Sequence, residues 1–161
     1  MTDISEQFRP VLGQFATGVT VVTVSTPDLD YGMTVNAFSS VSLSPPLVQF
    51  CADLETRTHD LVAEAEHYAV NVLSADQEWL SNRFAGQQEE LDDPFEDVET
   101  FRSETGAPII ADTLAYLDCE LDSAYAGGDH TIYVGRVVDL AVQDPEAAPL
   151  TFFRGEYGTI E

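Results

Sequence analysis

The stretch between residues 31 and 53 combines the composition of β-strands with a series of small polar side chains. Apolar residues such as Val35, Phe38 and Leu47 are typical of a strand. Hydroxyl and amide groups recur between them, at Thr34, Asn36, Ser39, Ser40 and Ser42. Such groups cost free energy when they are buried without hydrogen-bond partners. Either this stretch has one face in water, or its polar groups bind a ligand that carries donors and acceptors of its own.

The sequence contains none of the common motifs for gripping a nucleotide or building a catalytic nucleophile. Gly127 and Gly128 are not part of a GxGxxG motif, and neither GxxxxGKS nor GxxxxGKT occurs. Metal-ligand spacing and nucleophile motifs are also absent around the histidines and cysteines, which are His59, His67, His130, Cys51 and Cys119. We therefore predict no metal site and expect both cysteines to be buried free thiols. Any cofactor must be held in another way.

The charge balance is strongly acidic. There are 29 acidic residues against 6 basic ones, which gives a formal net charge of -23, and lysine is absent. Such a charge argues against nucleic acid or anionic lipid as partners, because both present phosphates. It also opposes a compact state in dilute buffer, whereas at molar salt the Debye length falls to about 3 Å and the repulsion is screened. We interpret the chain as halophilic, with an acidic interaction protein as the alternative.

Length and composition predict an ordinary globular domain. The chain has 161 residues, of which 44% are hydrophobic, and we expect residues 1–161 to form a single domain. No apolar run approaches the roughly 18 to 20 residues that span a bilayer. The first seven residues are polar and acidic and do not resemble a secretory signal, so we expect a cytoplasmic protein without membrane contact.

The elements that must position the polar stretch are mostly strands. Apolar periodicity predicts helices over 3–17 and 56–67 and a third one beginning at 74. It predicts strands over 19–25, 32–43, 47–53, 68–73, 114–125, 130–143 and 149–154. The acidic stretch 86–106 is expected to be a surface excursion held by Phe95, Val98 and Phe101. Because regular βαβ alternation is absent, a closed or nearly closed antiparallel barrel with flanking helices fits best.

Eight segments of the chain, in order, resemble the flavin reductase family. They are FRPVLGQFATGVTVVT, GMTVNAFSSVSLSPPLV, TRT, YAVNVL, RFA, GAPIIADTLAYLDCEL, GDHTIYVGRV and PLTFFRGEYG, which together run from about Phe8 to Gly158. Members of this family are short NAD(P)H:flavin oxidoreductases that supply reduced flavin to two-component monooxygenases. The resemblance implies a mainly β fold with flanking helices, an FMN-binding split β-barrel of antiparallel, Greek-key type that forms a homodimer. It also implies FMN or FAD as cofactor and NADH or NADPH as co-substrate.

The same resemblance implies which residues would bind the flavin. Its ring would lie along residues Met33, Thr34, Val35, Asn36 and Ala37. Its ribityl chain and phosphate would lie near Ser39 and Ser40 and the backbone of Cys51, Ala52 and Asp53. Thr56, Arg57 and Thr58 open a helix, whose free N–H groups favour an anion, and Arg57 adds a charge-assisted contact. The polar stretch would then follow the hydrogen-bonding edge of the ring.

The GDH segment implies a catalytic role for His130, because this block lies where the nicotinamide stacks on the flavin in the family. His130 would orient the nicotinamide amide or stabilise charge near the flavin, and Tyr157 is a weaker candidate for the same pocket. Val35, Ala37 and Glu156 depart from the family pattern, which leaves FMN or FAD open. The absence of lysine favours NADH over NADPH. Two alternatives are an electron carrier that retains its FMN and a non-catalytic flavin-binding module.

Overall fold

The computed structural model describes residues 3–161 and is built mainly from antiparallel strands. The α-helices are α1 (Ile4–Leu12), α2 (Arg57–Ala65) and α3 (Glu78–Phe84). The strands are β1 (Thr17–Gly18), β2 (Thr20–Ser25), β3 (Asp30–Val35), β4 (Phe38–Leu43), β5 (Pro46–Asp53), β6 (His67–Val72), β7 (Thr100–Phe101), β8 (Ile109–Ile110), β9 (Ala115–Gly127), β10 (His130–Val142), β11 (Thr151–Phe153) and β12 (Glu156–Gly158). Within the described residues, no helix is long and apolar enough to cross a membrane.

Seven strands form one sheet in the order β3-β2-β6-β9-β10-β5-β4. Its two edge strands, β3 and β4, are consecutive in the chain and are joined only by Asn36 and Ala37. The sheet must therefore curl until its edges almost meet, and the Cys51 N–H donates to the Ala37 carbonyl at 3.1 Å across this junction. The predicted mainly β, antiparallel, split-barrel-like fold is confirmed.

The prediction of one strand over 32–43 is wrong at its centre. The chain leaves β3 at one edge of the sheet, turns through Asn36 and Ala37, and enters β4 at the other edge. The Phe38 N–H donates to the Asn36 carbonyl at 3.0 Å within this turn. The polar stretch is therefore divided between two strands and the link that nearly closes the barrel.

The N- and C-terminal elements also differ from the prediction. The helix α1 ends at Leu12 rather than 17, because Gly13 caps it and the chain then enters β1. The predicted strand 149–154 contains only β11, which pairs with β1 in a separate three-stranded sheet and forms a hairpin with the unpredicted β12. Arg154 and Gly155 both have positive φ in its two-residue turn, as such tight hairpins require. Strands of two or three residues carry too little periodicity to be predicted from sequence.

The barrel is filled by side chains from most of its strands. One buried cluster includes Val22, Phe50, Val62, Tyr68 and Tyr133. Gly135 lets the Tyr68 ring approach β10 closely, since a Cβ at this position would lie 2.4 Å from the Tyr68 hydroxyl. The barrel therefore has a packed interior that fixes the strands carrying the site.

The acidic stretch 86–106 lies on the surface and is held by apolar contacts, as predicted. Phe95 and Val98 pack against a second buried cluster, and the Phe95 ring centroid lies 5.1 Å from that of Phe84. Polar contacts add to this attachment, because Gln88 Nε2 donates to the Gly32 carbonyl at 2.7 Å and the Tyr31 hydroxyl donates to Glu89. The excursion is thus fixed to the edge strand β3.

Candidate active site

The end of β5 and the start of β10 lie side by side. Their antiparallel register places Asp53 opposite His130 and Ala52 opposite Thr131. The Leu54 N–H donates to the Asp129 carbonyl at 3.0 Å, which ties the turn after β5 to the β9–β10 hairpin. The structure therefore brings His130 next to the segment 51–53 that the sequence analysis assigned to the flavin.

Backbone groups become available where β4 stops pairing with β5. The β4–β5 ladder begins at the pair Phe38–Phe50, so β5 continues beyond it towards Asp53 without that neighbour. The N–H of Cys51 points to this side, and by the alternation of an antiparallel ladder the N–H of Asp53 points the same way. Such a free strand edge fits a ligand that presents hydrogen-bond acceptors.

The first turn of α2 follows directly from this strand end. The Asp53 carbonyl accepts hydrogen bonds from the Thr56 N–H at 3.1 Å and the Thr56 hydroxyl at 2.8 Å. Thr56 is the N-cap of α2, and the next N–H groups have no acceptor within the helix. Thr58 is buried, and its hydroxyl oxygen has no hydrogen-bond partner among the described residues. An anion such as a phosphate fits this end of α2.

Arg57 is exposed beside these N–H groups, and its guanidinium packs over the ring of Tyr31. Its guanidinium carbon lies 5.1 Å from the centroid of the Tyr31 ring, an arrangement that leaves the guanidinium N–H groups free to bind. Tyr31 is buried, and its hydroxyl donates to Glu89. Burial and the Glu89 carboxylate raise the pKa of Tyr31 to about 12, so the ring stays neutral under the cation. Arg57 is therefore positioned by the Tyr31 ring beside the first turn of α2.

The residues assigned to the flavin ring fall into two groups in the structure. Asn36, Ala37, Ser39 and Ser40 are exposed, and Met33 is half-buried. Val35 is buried in the core, so only its backbone is available. The Thr34 hydroxyl donates to the Ser81 carbonyl at 2.6 Å and is already paired within the protein.

Tyr157 is held on the α3 side of the site. Its hydroxyl lies 2.5 Å from the Ser81 hydroxyl, and Ser81 also accepts the hydrogen bond from Thr34. Among the described residues, no hydrogen bond joins Tyr157 to His130. The structure thus groups Tyr157 with Thr34, and a contact of Tyr157 with the nicotinamide remains a prediction.

His130 is half-buried at the first position of β10. Its Nδ1 lies 2.7 Å from the Asp129 carboxylate, and this hydrogen bond lowers the pKa of Asp129. When Nδ1–H donates to Asp129, Nε2 is the ring nitrogen left for a ligand. The histidine is therefore held in one orientation beside Asp53.

The two cysteines are free, and only one is fully buried. The prediction of buried thiols is confirmed for Cys119, whereas Cys51 is half-buried. Burial raises the pKa of both thiols, that of Cys119 to about 12, so both are protonated at neutral pH. Cys51 therefore contributes packing and backbone to the site, not a thiolate nucleophile.

Three residues of this region were missed in the sequence. Tyr31 lies under Arg57, Ser81 joins Thr34 to Tyr157, and His59 Nε2 lies 2.8 Å from the Thr131 hydroxyl. Only His59 carried a local signal, as the third residue after a helix N-cap. The contacts of Tyr31 and Ser81 depend on tertiary packing and leave no sequence pattern.

Comparison with known proteins identifies the family. The model of the flavin reductase like domain matches residues 12–161. The chain is 45% identical over 154 residues to an NADH-dependent FMN reductase of Agrobacterium fabrum, covering 96% of this chain and 85% of that protein. It is 40% identical over 155 residues to a flavin-dependent monooxygenase reductase subunit of Mycobacterium tuberculosis, covering 96% and 81%.

A solved structure gives the same assignment. The chain is similar to the NADH:FAD oxidoreductase of Streptomyces globisporus, solved in complex with NAD and FAD fragments, with a TM-score of 0.91 and 38% identity. The alignment covers 100% of this chain and 96% of that one. The fold and these relatives define the class of protein as flavin oxidoreductases. This chain belongs to the flavin reductase like domain family.

Replacing Arg57 tests the anion site at α2. We expect Arg57→Ala to weaken FMN binding about tenfold, since a charge-assisted contact contributes roughly 1.5 to 3 kcal/mol. Riboflavin, which lacks the phosphate, should bind almost unchanged. Flavin fluorescence titrations of both ligands measure the effect.

Arg136→Ala is the matched control, because Arg136 is also exposed and its loss changes the net charge equally. Arg136 lies six residues along β10 from His130. Its replacement should leave the affinities for FMN and riboflavin near those of the unmodified protein. Equal losses of FMN and riboflavin affinity in Arg57→Ala would place Arg57 away from the phosphate.

Proposed function

We propose that this protein is an NADH-dependent flavin reductase that reduces FMN or FAD and supplies the reduced flavin to a partner monooxygenase. One observation carries this proposal: Asp53 lies opposite His130 and three residues before the N-cap Thr56. A phosphate at α2 and a nicotinamide at His130 would therefore approach the same strand end. The relatives named FMN reductase and monooxygenase reductase subunit support the reaction and the kind of partner.

The residues of this chain would bind and orient the flavin and the nicotinamide. When bound, a flavin would supply the redox chemistry as acceptor of a hydride from the nicotinamide, so the protein needs no nucleophile of its own. The backbone near Asp53 and the exposed link Asn36–Ala37 would follow the polar edge of the ring. Arg57 and the first N–H groups of α2 would hold the phosphate. His130, oriented by Asp129, would present Nε2 to the nicotinamide amide and so hold the two rings in contact.

The charges around His130 favour NADH over NADPH. The nearby side chains Asp53 and Asp129 are acidic, and the chain contains no lysine that could receive a 2′-phosphate. A further phosphate near these carboxylates would be repelled. We propose both FMN and FAD as flavins, because relatives are named for each.

We further propose a homodimer that assembles through α1. The apolar side chains of this helix and the segment after it are exposed, at Ile4, Phe8, Val11, Leu12 and Phe15, and α1 has no buried residue. An apolar helix of this kind is stabilised when a second surface covers it. A second copy of the chain is the proposed cover.

We propose a reducing, cytoplasmic location. Both cysteines are free thiols, which suits a compartment that keeps thiols reduced. The halophilic interpretation agrees with this choice, since a cytoplasm rich in salt would screen the net charge of -23.

The proposed reaction is tested with the purified protein and NADH. We expect NADH oxidation to require added FMN or FAD, because the reduced flavin must leave to serve a monooxygenase. The measurement is the loss of NADH absorbance under anaerobic conditions, with flavin concentration as the variable. A protein that retains its flavin but oxidises no NADH would instead indicate an electron carrier, and a protein that neither binds flavin nor oxidises NADH would reject the enzyme.

Removing His130 should slow hydride transfer or weaken nicotinamide binding with little loss of flavin affinity. The reason is its place beside Asp53, where Nε2 is available to the nicotinamide. Stopped-flow reduction of flavin-loaded His130→Ala by NADH measures both effects. His67→Ala is the control, since His67 lies at the start of β6 with Nδ1 on the Ala65 carbonyl. A rate equal to that of the unmodified protein at every NADH concentration would remove His130 from the site.

Dimerisation and activity should decline together as salt is withdrawn. Two chains of net charge -23 repel each other in dilute buffer, and burial of apolar side chains can overcome this repulsion only when it is screened. We expect an active dimer at about 2 M KCl and a decline below roughly 0.5 M, an estimate that rests on the screening length. Light scattering and NADH oxidation are followed across the same salt series. An active, stable monomer in dilute buffer would contradict both the dimer and the halophilic interpretation.

A further inference from the structure

His59 connects the first turn of α2 to the strand that begins with His130. Its Nε2 lies 2.8 Å from the Thr131 hydroxyl, and its Nδ1 lies 2.9 Å from the Asp60 carboxylate. In the tautomer that satisfies both contacts, Nδ1–H donates to Asp60 and Nε2 accepts from Thr131. The His59 side chain is only 18% exposed, so these contacts lie largely out of water.

Backbone and ring contacts leave His59 little freedom. Its N–H donates to the hydroxyl of the N-cap Thr56 at 3.3 Å, and its carbonyl accepts from the Tyr133 hydroxyl at 2.8 Å. The centroids of the His59 and Tyr133 rings are 5.6 Å apart. A movement of His59 would therefore disturb both the N-cap of α2 and the packing of β10.

The position of Thr131 gives this connection its functional meaning. Thr131 is next to His130 in β10 and lies opposite Ala52, between the proposed phosphate turn and the hairpin. We propose that His59 is a positioning residue for hydride transfer, which fixes the start of β10 relative to the phosphate-binding turn of α2. This proposal rests on the proposed function. His59 would keep the nicotinamide that contacts His130 in register with a flavin whose phosphate is held at α2.

The order carboxylate, imidazole, hydroxyl also occurs in hydrolytic triads, but the geometry here favours positioning. The Asp60 side chain is 80% exposed, whereas a triad carboxylate is buried. Thr131 pairs with Ala52 of β5 on one side and with Ala126 of β9 on the other, so its backbone is fixed within the sheet. The hydroxyl of Thr131 is thus a structural partner of His59 and not a nucleophile.

The test is a double-mutant cycle between His59 and Thr131, which measures whether the two side chains act as one unit. His59→Ala and Thr131→Val are made singly and together, and His59→Gln is added because its amide can reach Thr131. Stopped-flow reduction by saturating NADH gives the limiting rate, and fluorescence titration gives the FMN affinity. The same measurements on His67→Gln control for the loss of a histidine at the other end of α2.

We expect His59→Ala to lower the limiting rate about tenfold, because small misplacements of reacting groups cost rate steeply. FMN affinity should change less than about threefold, since the cap by Thr56 remains. Thr131→Val should slow the intact chain but add almost nothing in the His59→Ala background, and His59→Gln should restore most of the rate. His67→Gln should match the unmodified protein.

Three results would overturn the proposal: an unchanged limiting rate in His59→Ala, effects of the two substitutions that simply add, or a loss of FMN affinity as large as the loss of rate. If His59→Ala does not fold, the limiting rates of His59→Gln and Thr131→Val test the proposal instead, because both substitutions nearly preserve side-chain volume. Hydrogen exchange of residues 126–132 without flavin tests the connection separately. Unchanged protection there in His59→Ala would reject it, even in a protein that proved not to oxidise NADH.

Discussion

The short link between the two edges of the sheet is the constraint on which the rest of the structure depends. Val35 ends one edge strand and Phe38 begins the other, three Cα steps later, so the edges lie within about 11 Å of each other. A seven-stranded sheet can satisfy this only by curling into a nearly closed barrel. The curl brings the link beside the end of β5, where β4 has ended, the Cys51 N–H is taken by Ala37 and the Asp53 N–H is left for a ligand. The proposed flavin groove is thus a consequence of incomplete closure.

The favourable electrostatic interactions of this acidic chain with an anionic ligand must act at short range. A net charge of -23 repels anionic flavins and dinucleotides at a distance, and screening by salt weakens that repulsion. The proposed hydrogen bonds from the N-terminus of α2 and from Arg57 to a phosphate would act in contact and would be screened far less. High salt would therefore leave the binding contacts while it removes the barrier to approach. A lysine-free, acidic protein can therefore use anionic substrates when its few arginines lie where phosphates bind.

Sequence patterns predicted the parts of the fold that are long and local. The hairpin β9–β10 followed from two extended apolar runs and the glycines between them, and α2 followed from its cap and periodicity. The break at Asn36 and Ala37 could not be predicted, because the composition is continuous there and the two local hairpins, β2–β3 and β4–β5, carry no pattern that places them at opposite edges of the sheet. The pairing of Thr34 with Ser81 and of His59 with Thr131 was hidden because those partners lie far apart in sequence. Family resemblance supplied the candidate residues, and tertiary contacts divide them into those already paired and those free to bind.

The acidic excursion takes part in the site although it supplies no proposed ligand. Glu89 accepts a hydrogen bond from the Tyr31 hydroxyl, and Gln88 donates one to the Gly32 carbonyl. The excursion therefore holds the segment of β3 whose Tyr31 ring packs against Arg57. Burial and then Glu89 raise the pKa of Tyr31 further above neutrality, and the neutral ring offers Arg57 an attractive face without neutralising its charge. A carboxylate in direct contact with Arg57 would compete with the phosphate for the guanidinium. By acting through Tyr31, the excursion fixes the position of Arg57 and leaves its hydrogen-bond donors for the flavin.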